Sequence, residues 1–279
     1  MAFTHERDII NAALSGLGVN PVNASYELTV PGETTEQAKL ASATYSMHLE
    51  HLLASHPWNF ALNHAVSDMA LLPTGTWRWD YAYSLPSDSL RVWEVEKQSA
   101  NIEDEWTVSD GLLLTNLEQT TSATVTAIDA GTDTCTSNNH GFSAGDVVIV
   151  NNIPGLTDDT VLYYVMAAGL TDNDFRLSTS AVGAAENLSV FVSNGTVTRR
   201  TVDIRYVKDE TAVTAYSPQF ITALVAKLES EWAEPLVKAT TLGERKDLKF
   251  MDKLAESRSL DGQEGTPERQ EVLTWLDER

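Results

Sequence analysis

The feature that most restricts what this chain can fold into is a break in composition. Residues 121–198 carry eight acidic side chains, one cation, Arg176, and no lysine, whereas both flanks contain Lys and Arg. The texture changes at the same places. Within the segment, short apolar runs (Val147-Val148-Ile149-Val150, Leu162-Tyr163-Tyr164-Val165, Phe175-Arg176-Leu177, Leu188-Ser189-Val190-Phe191-Val192) alternate with clusters of Gly, Asn and Asp. Runs of that length between turn formers read as strands, and several at close spacing predict an all-β sandwich or small barrel. Residues 121–198 are therefore expected to be an inserted β-module. Residues 1–120 and 199–279 are expected to fold together as one discontinuous domain, because closing a long loop costs little more than closing a short one. The expected class is α+β: a helical bundle and a small antiparallel platform sheet, interrupted by the module.

In the first flank Ile9, Ile10, Ala13, Leu14 and Leu17 recur at helical spacing until Gly16 and Gly18 end the run. After a loop with Pro21 and Pro31, Thr34 and Gln37 have capping-box spacing, each side chain serving a backbone N–H of the first turn. Ala38, Ala41, Tyr45, Leu49 and Leu52 then predict a helix to about Ser55, stopped by Pro57. In the second flank Ser217-Pro218 opens a helix with Pro at its first position, where a missing N–H has no intrahelical partner to lose. Ile221, Leu224, Val225, Leu228 and Trp232 form its buried stripe, and Pro235 kinks or ends it. Thr241 and Glu244 give a second capping box before a helix with Leu248, Met251 and Ala255 inward. Gly262 and Gly265 bracket a joint. Beyond it Thr266-Pro267 begins a C-terminal arm, 266–279, with Val272, Leu273, Trp275 and Leu276 on a short helix.

Between the helices the period is two. Trp77, Trp79, Tyr81 and Tyr83 alternate onto one strand face, and Leu85-Pro86-Ser87-Asp88 is turn chemistry. Asp110-Gly111 between two apolar runs signals a two-residue hairpin, and Val202, Ile204 and Tyr206 alternate on a further strand.

Nineteen Lys+Arg against 40 Asp+Glu give a formal charge of −21. That excludes a protein built to grip phosphate, yet suits a surface past which DNA slides without sticking. No apolar run approaches the roughly 20 residues that span a bilayer, and Met1 to Arg7 lacks a signal-peptide pattern, so no membrane partner is expected. A single cysteine, Cys135, excludes an internal disulfide and a multi-cysteine zinc site, as expected of a product of a reducing cytoplasm.

Candidate chemistry is sparse. Glu103, Asp104 and Glu105 beside Trp106 have the residue types of a glycosidase acid–base pair with a stacking ring, but a solvated hairpin edge is the favoured reading. His48 and His51 share a helix face, with His56 and His64 nearby, and lack a third ligand at metal spacing. His140 precedes Gly141 in a turn and is expected to bond backbone. Asp172-Asn173-Asp174 and Asp158-Asp159 have calcium-ligand types without the remaining ligands of a binding loop, so they read as turns. The aromatic stripe is assigned to a packed sheet face, since only Arg78 and Arg91 lie near it to hold a nucleic-acid backbone. No catalytic residue, cofactor site or metal site is expected, and the chain is not expected to be an enzyme.

His56-Pro57-Trp58-Asn59-Phe60-Ala61 after a long helix resembles the head-to-tail adaptors of short-tailed bacteriophages called tail tubular protein A. The likeness continues through Tyr83-Ser84-Leu85-Pro86-Ser87-Asp88-Ser89-Leu90-Arg91-Val92, resumes at Tyr206-Val207 and at Ser217-Pro218-Gln219-Phe220, and includes Ala12-Ala13-Leu14-Ser15-Gly16-Leu17-Gly18. It spans everything but the insert. The insert, with His140-Gly141-Phe142-Ser143-Ala144-Gly145-Asp146-Val147-Val148-Ile149 and Asp174-Phe175-Arg176-Leu177, resembles a β-module of phage tail proteins named after a cysteine half-domain of ubiquitin-activating enzymes. Cys135 lies outside that signature. The resemblance implies a structural connector ring, twelvefold, between the portal protein and the tail nozzle protein. DNA would pass through its lumen without specific binding, and the location would be the virion neck after assembly in the host cytoplasm. Val272, Leu273, Trp275 and Leu276 are the expected portal or neighbour contact, Trp being a frequent interface anchor. Two other functions are weighed against this one: a host-surface or glycan-binding tail component, and a cell-wall hydrolase.

Overall fold

The computed structural model of the chain describes residues 3–23, 25–28, 35–74, 78–96, 105–189 and 195–264. It is an α+β fold with two compact units, Met1–Asn63 with Val207–Arg279, and His64–Tyr206.

The first unit is helical: α1 (Glu6–Gly16), α2 (Glu36–Ala54), α3 (Pro218–Val237) and α4 (Thr240–Asp261). The stripes expected for the first three are its core. Ile9, Ile10, Leu14, Tyr45, Leu52, Leu224, Leu228 and Trp232 are all buried. Trp58 is fully buried; its indole N–H donates to the Leu52 carbonyl at 3.0 Å, and its ring meets Phe220 edge-on at 5.1 Å. Phe60 also packs on Phe220, at 4.9 Å, so the Trp58-Asn59-Phe60 segment is a packing nexus for the start of α3.

Three helix boundaries differ from expectation. The α2 cap is Thr35, whose side chain accepts from the Ala38 N–H at 3.4 Å; Thr34 lies outside the described residues. The cap moves by one because Thr35 is the last extended residue before the stripe beginning at Ala38 turns inward. In α4 the N-cap is Ala239, without a side-chain bond, in place of a Thr241–Glu244 box. Lys238 ends α3 in the left-handed region (φ 57), which leaves one residue for the connection and no room for a polar cap. Pro235 does not end α3, which runs on to Val237: in the last turn the helix loses one hydrogen bond and little else.

The second unit is β. Its strands are β1 (Leu62–Ala70), β2 (Tyr81–Ser84), β3 (Ser89–Val95), β4 (Trp106–Ser109), β5 (Leu112–Thr115), β6 (Gln119–Val125), β7 (Ala127–Asp129), β8 (Thr134–Thr136), β9 (Val147–Asn151), β10 (Tyr163–Val165), β11 (Asp174–Phe175), β12 (Leu177–Ser178) and β13 (Gly195–Lys208). Ten form one antiparallel sheet in the order β12-β10-β9-β13-β1-β2-β5-β4, with β3 and β6 also on β13; β11-β8-β7 form a second, small sheet. The sheet is open and much larger than the small platform expected, and the insert is not a closed barrel. Asp110 and Gly111, at φ 52 and 74, make the expected tight hairpin between β4 and β5. The strand expected at 188–192 is absent at Leu188 and Ser189; residues 190–192 lie outside the described residues.

The long strand β13 explains the sheet's size. Its Thr198 and Arg199 pair with Ser122 and Thr121 of β6, so the chain leaves and re-enters at the expected seams on two adjacent, hydrogen-bonded strands. One hydrophobic core, including Val125, Cys135, Val148, Val150, Phe175 and Val197, draws only on residues 123–197. A second contains Met69, Tyr83, Leu113, Val202, Ile204 and Tyr206 together with Val147 and Ile149. The pleat of β9 thus sends alternate residues into two cores, which is why its run is apolar at every position.

Candidate assembly surfaces

Val272, Leu273, Trp275 and Leu276, the side chains expected to make the portal or neighbour contact, lie outside the described residues. The helix that leads to them is described, and it sits the other way round from expectation. Leu248 and Met251 are 69% and 63% exposed, and Ala255 is exposed beside them. The buried residues of α4 are Ser257 and Asp261.

The inversion has a polar cause. Glu229 of α3 is only 4% exposed, and its Oε2 accepts from Lys246 Nζ at 2.7 Å and Lys249 Nζ at 2.9 Å. Ser230 bonds Asp247, and the Ser257 hydroxyl donates to the Gln219 carbonyl at 2.9 Å. Arg258 donates to the carbonyl and hydroxyl oxygens of Ser55 at 3.2 and 3.0 Å. A buried carboxylate needs its cations close, so the lysine side of α4 turns toward α3 and the apolar side is left outward. Gly16 belongs to the same cluster. Its carbonyl accepts from Lys246 at 2.8 Å, and a Cβ there would stand 2.0 Å from Glu229 Oε1.

At the end of α4, Asp261 is 3% exposed and receives the Asn59 N–H at 3.3 Å; the Asn59 amide donates to the Asp261 carbonyl at 2.6 Å. His56 Nε2 lies 3.3 Å from the same carboxylate. Burial holds the His56 pKa below and the Asp261 pKa above its ordinary value, outweighing their mutual attraction. This clamp fixes where the chain beyond α4 starts.

Two surface features of the helical unit suit a partner. One is the outward stripe of Leu248, Met251 and Ala255. The other is a groove of about 590 Å³ lined by Phe3, Ala12, Val213, Thr214, Tyr216, Pro218, Ile221, Thr222, Val225, Ala226, Lys249 and Lys253. The β unit carries its own. Trp93 is 41% exposed with the Arg91 guanidinium 5.4 Å from its ring, and Val108 is 45% exposed. With Leu90 and Trp106 they line a groove of about 670 Å³. Exposed Trp and Arg together have the composition of interface hot spots.

The remaining candidates resolve locally. Glu105 pairs with Arg78, which stacks over Trp79 at 5.1 Å; Glu103, Asp104 and Trp77 lie outside the described residues. The aromatic stripe is not one strand face: Trp79 precedes β2, while Tyr83 is fully buried and donates to the Leu117 carbonyl at 2.8 Å. His48 is buried with its pKa lowered by desolvation, whereas His51, one turn on, is exposed. Among the described residues no three His, Cys, Asp or Glu side chains converge at metal-binding distance. His140 accepts the Phe142 N–H at Nδ1 (3.0 Å), so Nε2 carries the proton and donates to the Thr171 carbonyl at 2.8 Å. Asp158, Asn173 and Asp174 bond Asn152 N–H, Asn139 N–H and the Thr136 hydroxyl, each at 2.8–2.9 Å, as turn residues do. Cys135 is buried, and burial pushes its thiol up to about 12, far from a nucleophile's range.

The inverted face of α4 was missed because Leu, Met and Ala at helical spacing were read as core. The opposing signal was present: Lys246, Lys249, Lys253, Ser257 and Asp261 recur at the same spacing. No protein-family model matches the chain, and no curated protein matches it significantly.

Proposed function

We propose that this chain is a structural subunit of a head-to-tail connector ring in a short-tailed bacteriophage, joining the portal protein to the tail nozzle protein. The observation that carries the proposal is the inverted helix α4: its charged side is buried on α3 and its apolar residues Leu248 and Met251 face outward. An exposed apolar stripe on an acidic subunit suits a surface completed by a neighbour. The adaptor-like motifs on both flanks of the insert support the same reading, and in it the acidic surface lets DNA pass without binding. Ring formation by a chain of charge −21 demands interfaces of apolar or paired groups to offset repulsion, and α4 supplies both kinds.

The test is reconstitution. Purified protein mixed with its portal is expected to give ring-shaped complexes by electron microscopy, with a defined subunit number by native mass spectrometry. Absence of any complex by both methods overturns the proposal.

A further inference from the structure

The groove of the helical unit and the residues that follow α4 complement each other. Along α3 the groove is floored by Pro218, Ile221, Thr222 and Val225, at the spacing of a face that receives another helix. It is lined by two lysines and no carboxylate, an exception in a chain with 40 acidic residues. Beyond Glu264 the sequence has the matching pattern. Val272, Leu273 and Leu276 fall on one side of a helix, and Glu268, Glu271, Asp277 and Glu278 outnumber Arg269 and Arg279.

We propose that segment 266–279 folds back on its own helical unit and seats Val272, Leu273 and Leu276 in this groove. The lengths agree. Lys253 and Lys249 stand about 12 and 18 Å along α4 from Asp261, at about 1.5 Å per residue. On a helix begun at Thr266 and run antiparallel to α4, Val272 to Leu276 stand about 9 to 15 Å from the joint. The clamp of Asp261 by Asn59 sets the direction in which the chain leaves α4, and Gly262 and Gly265 allow it to reverse. Lys249 and Lys253 already contact Glu229 and Glu256, so the segment's carboxylates add a general attraction and the apolar residues supply the seat. A second copy offers the same segment, but the tether gives the chain's own segment an effective concentration on the order of millimolar. The occupant is therefore the segment in cis. The inference stands apart from the ring reading, since it concerns the free subunit.

Hydrogen exchange of the full-length protein, followed by mass spectrometry, tests it. Amides of residues 270–276 are expected to exchange about tenfold more slowly than in L273D or V225E, and this protection should not change on dilution. Val225→Glu serves only if the α3 and α4 amides keep their parent rates; Leu273→Asp lies outside the described core and carries the test if they do not. Equal rates in the parent and L273D overturn the proposal. Protection that vanishes on dilution also overturns it, because it assigns the segment to another copy. Either result leaves the portal experiment unaffected, so the two readings fail separately.

Discussion

Replacing Lys246 with methionine probes the reason for the inverted helix directly. The Glu229 side chain is 5% exposed, and the two lysines that meet it are 16% (Lys246) and 49% (Lys249) exposed. At the 2.7 Å separation of Lys246, an effective dielectric of about 20 gives about 6 kcal/mol of attraction before desolvation. Breaking a buried pair by removing one partner typically costs about 3–5 kcal/mol. Lys249 remains as a second cation on the same oxygen, so the expected loss for Lys246→Met is about 2–3 kcal/mol. Lys249→Met, half exposed and screened by water, is expected to lose about 0.5–1 kcal/mol. The double variant should lose more than the sum, since it leaves a bare buried carboxylate. Adding Glu229→Leu to it should restore most of the stability. Urea unfolding followed by helical circular dichroism measures all four. Equal losses for the two single variants, or no recovery with Glu229→Leu, refutes the reasoning.

Three further outcomes are expected. Burial lowers the His56 pKa in the fold, so the native state holds fewer protons than the unfolded chain near neutrality; stability should be full above about 6.5 and fall as pH drops through the folded value. His56→Asn should flatten that slope in thermal melts, and an unchanged slope counts against the assignment. Asp261, raised by burial, works oppositely and in more acid solution: its contribution is present below about 3.8 and lost as pH rises through its folded value. Cys135, with its thiol pushed up to about 12, should resist alkylation at neutral pH in the native protein and react once unfolded; rapid native labelling contradicts its burial. Leu248→Ser with Met251→Ser should change stability by less than about 0.5 kcal/mol, as surface substitutions do, while weakening ring formation in sedimentation runs.

Local chemistry made much of the fold legible. The Ser217-Pro218 start of α3, the Asp110-Gly111 hairpin and the apolar stripes of α1, α2 and α3 each rest on interactions within a few residues, and each appears as expected. The connector reading came from the order of such motifs, and the site residues assigned to it, Val272, Leu273, Trp275 and Leu276, lie outside the described residues. What the groove takes and what covers Leu248 and Met251 had no counterpart in local pattern.

By itself the sequence determined which stretches are helix and strand, where the composition breaks, and that few groups are equipped for chemistry. Only the tertiary structure decided which side of α4 is inside. Helical spacing defines two stripes on that helix, one apolar and one charged, and burial of either is locally permissible. Glu229, eleven residues before the helix begins, settles it: a desolvated carboxylate on α3 must be met by Lys246 and Lys249, and that requirement outweighs the burial of Leu248 and Met251.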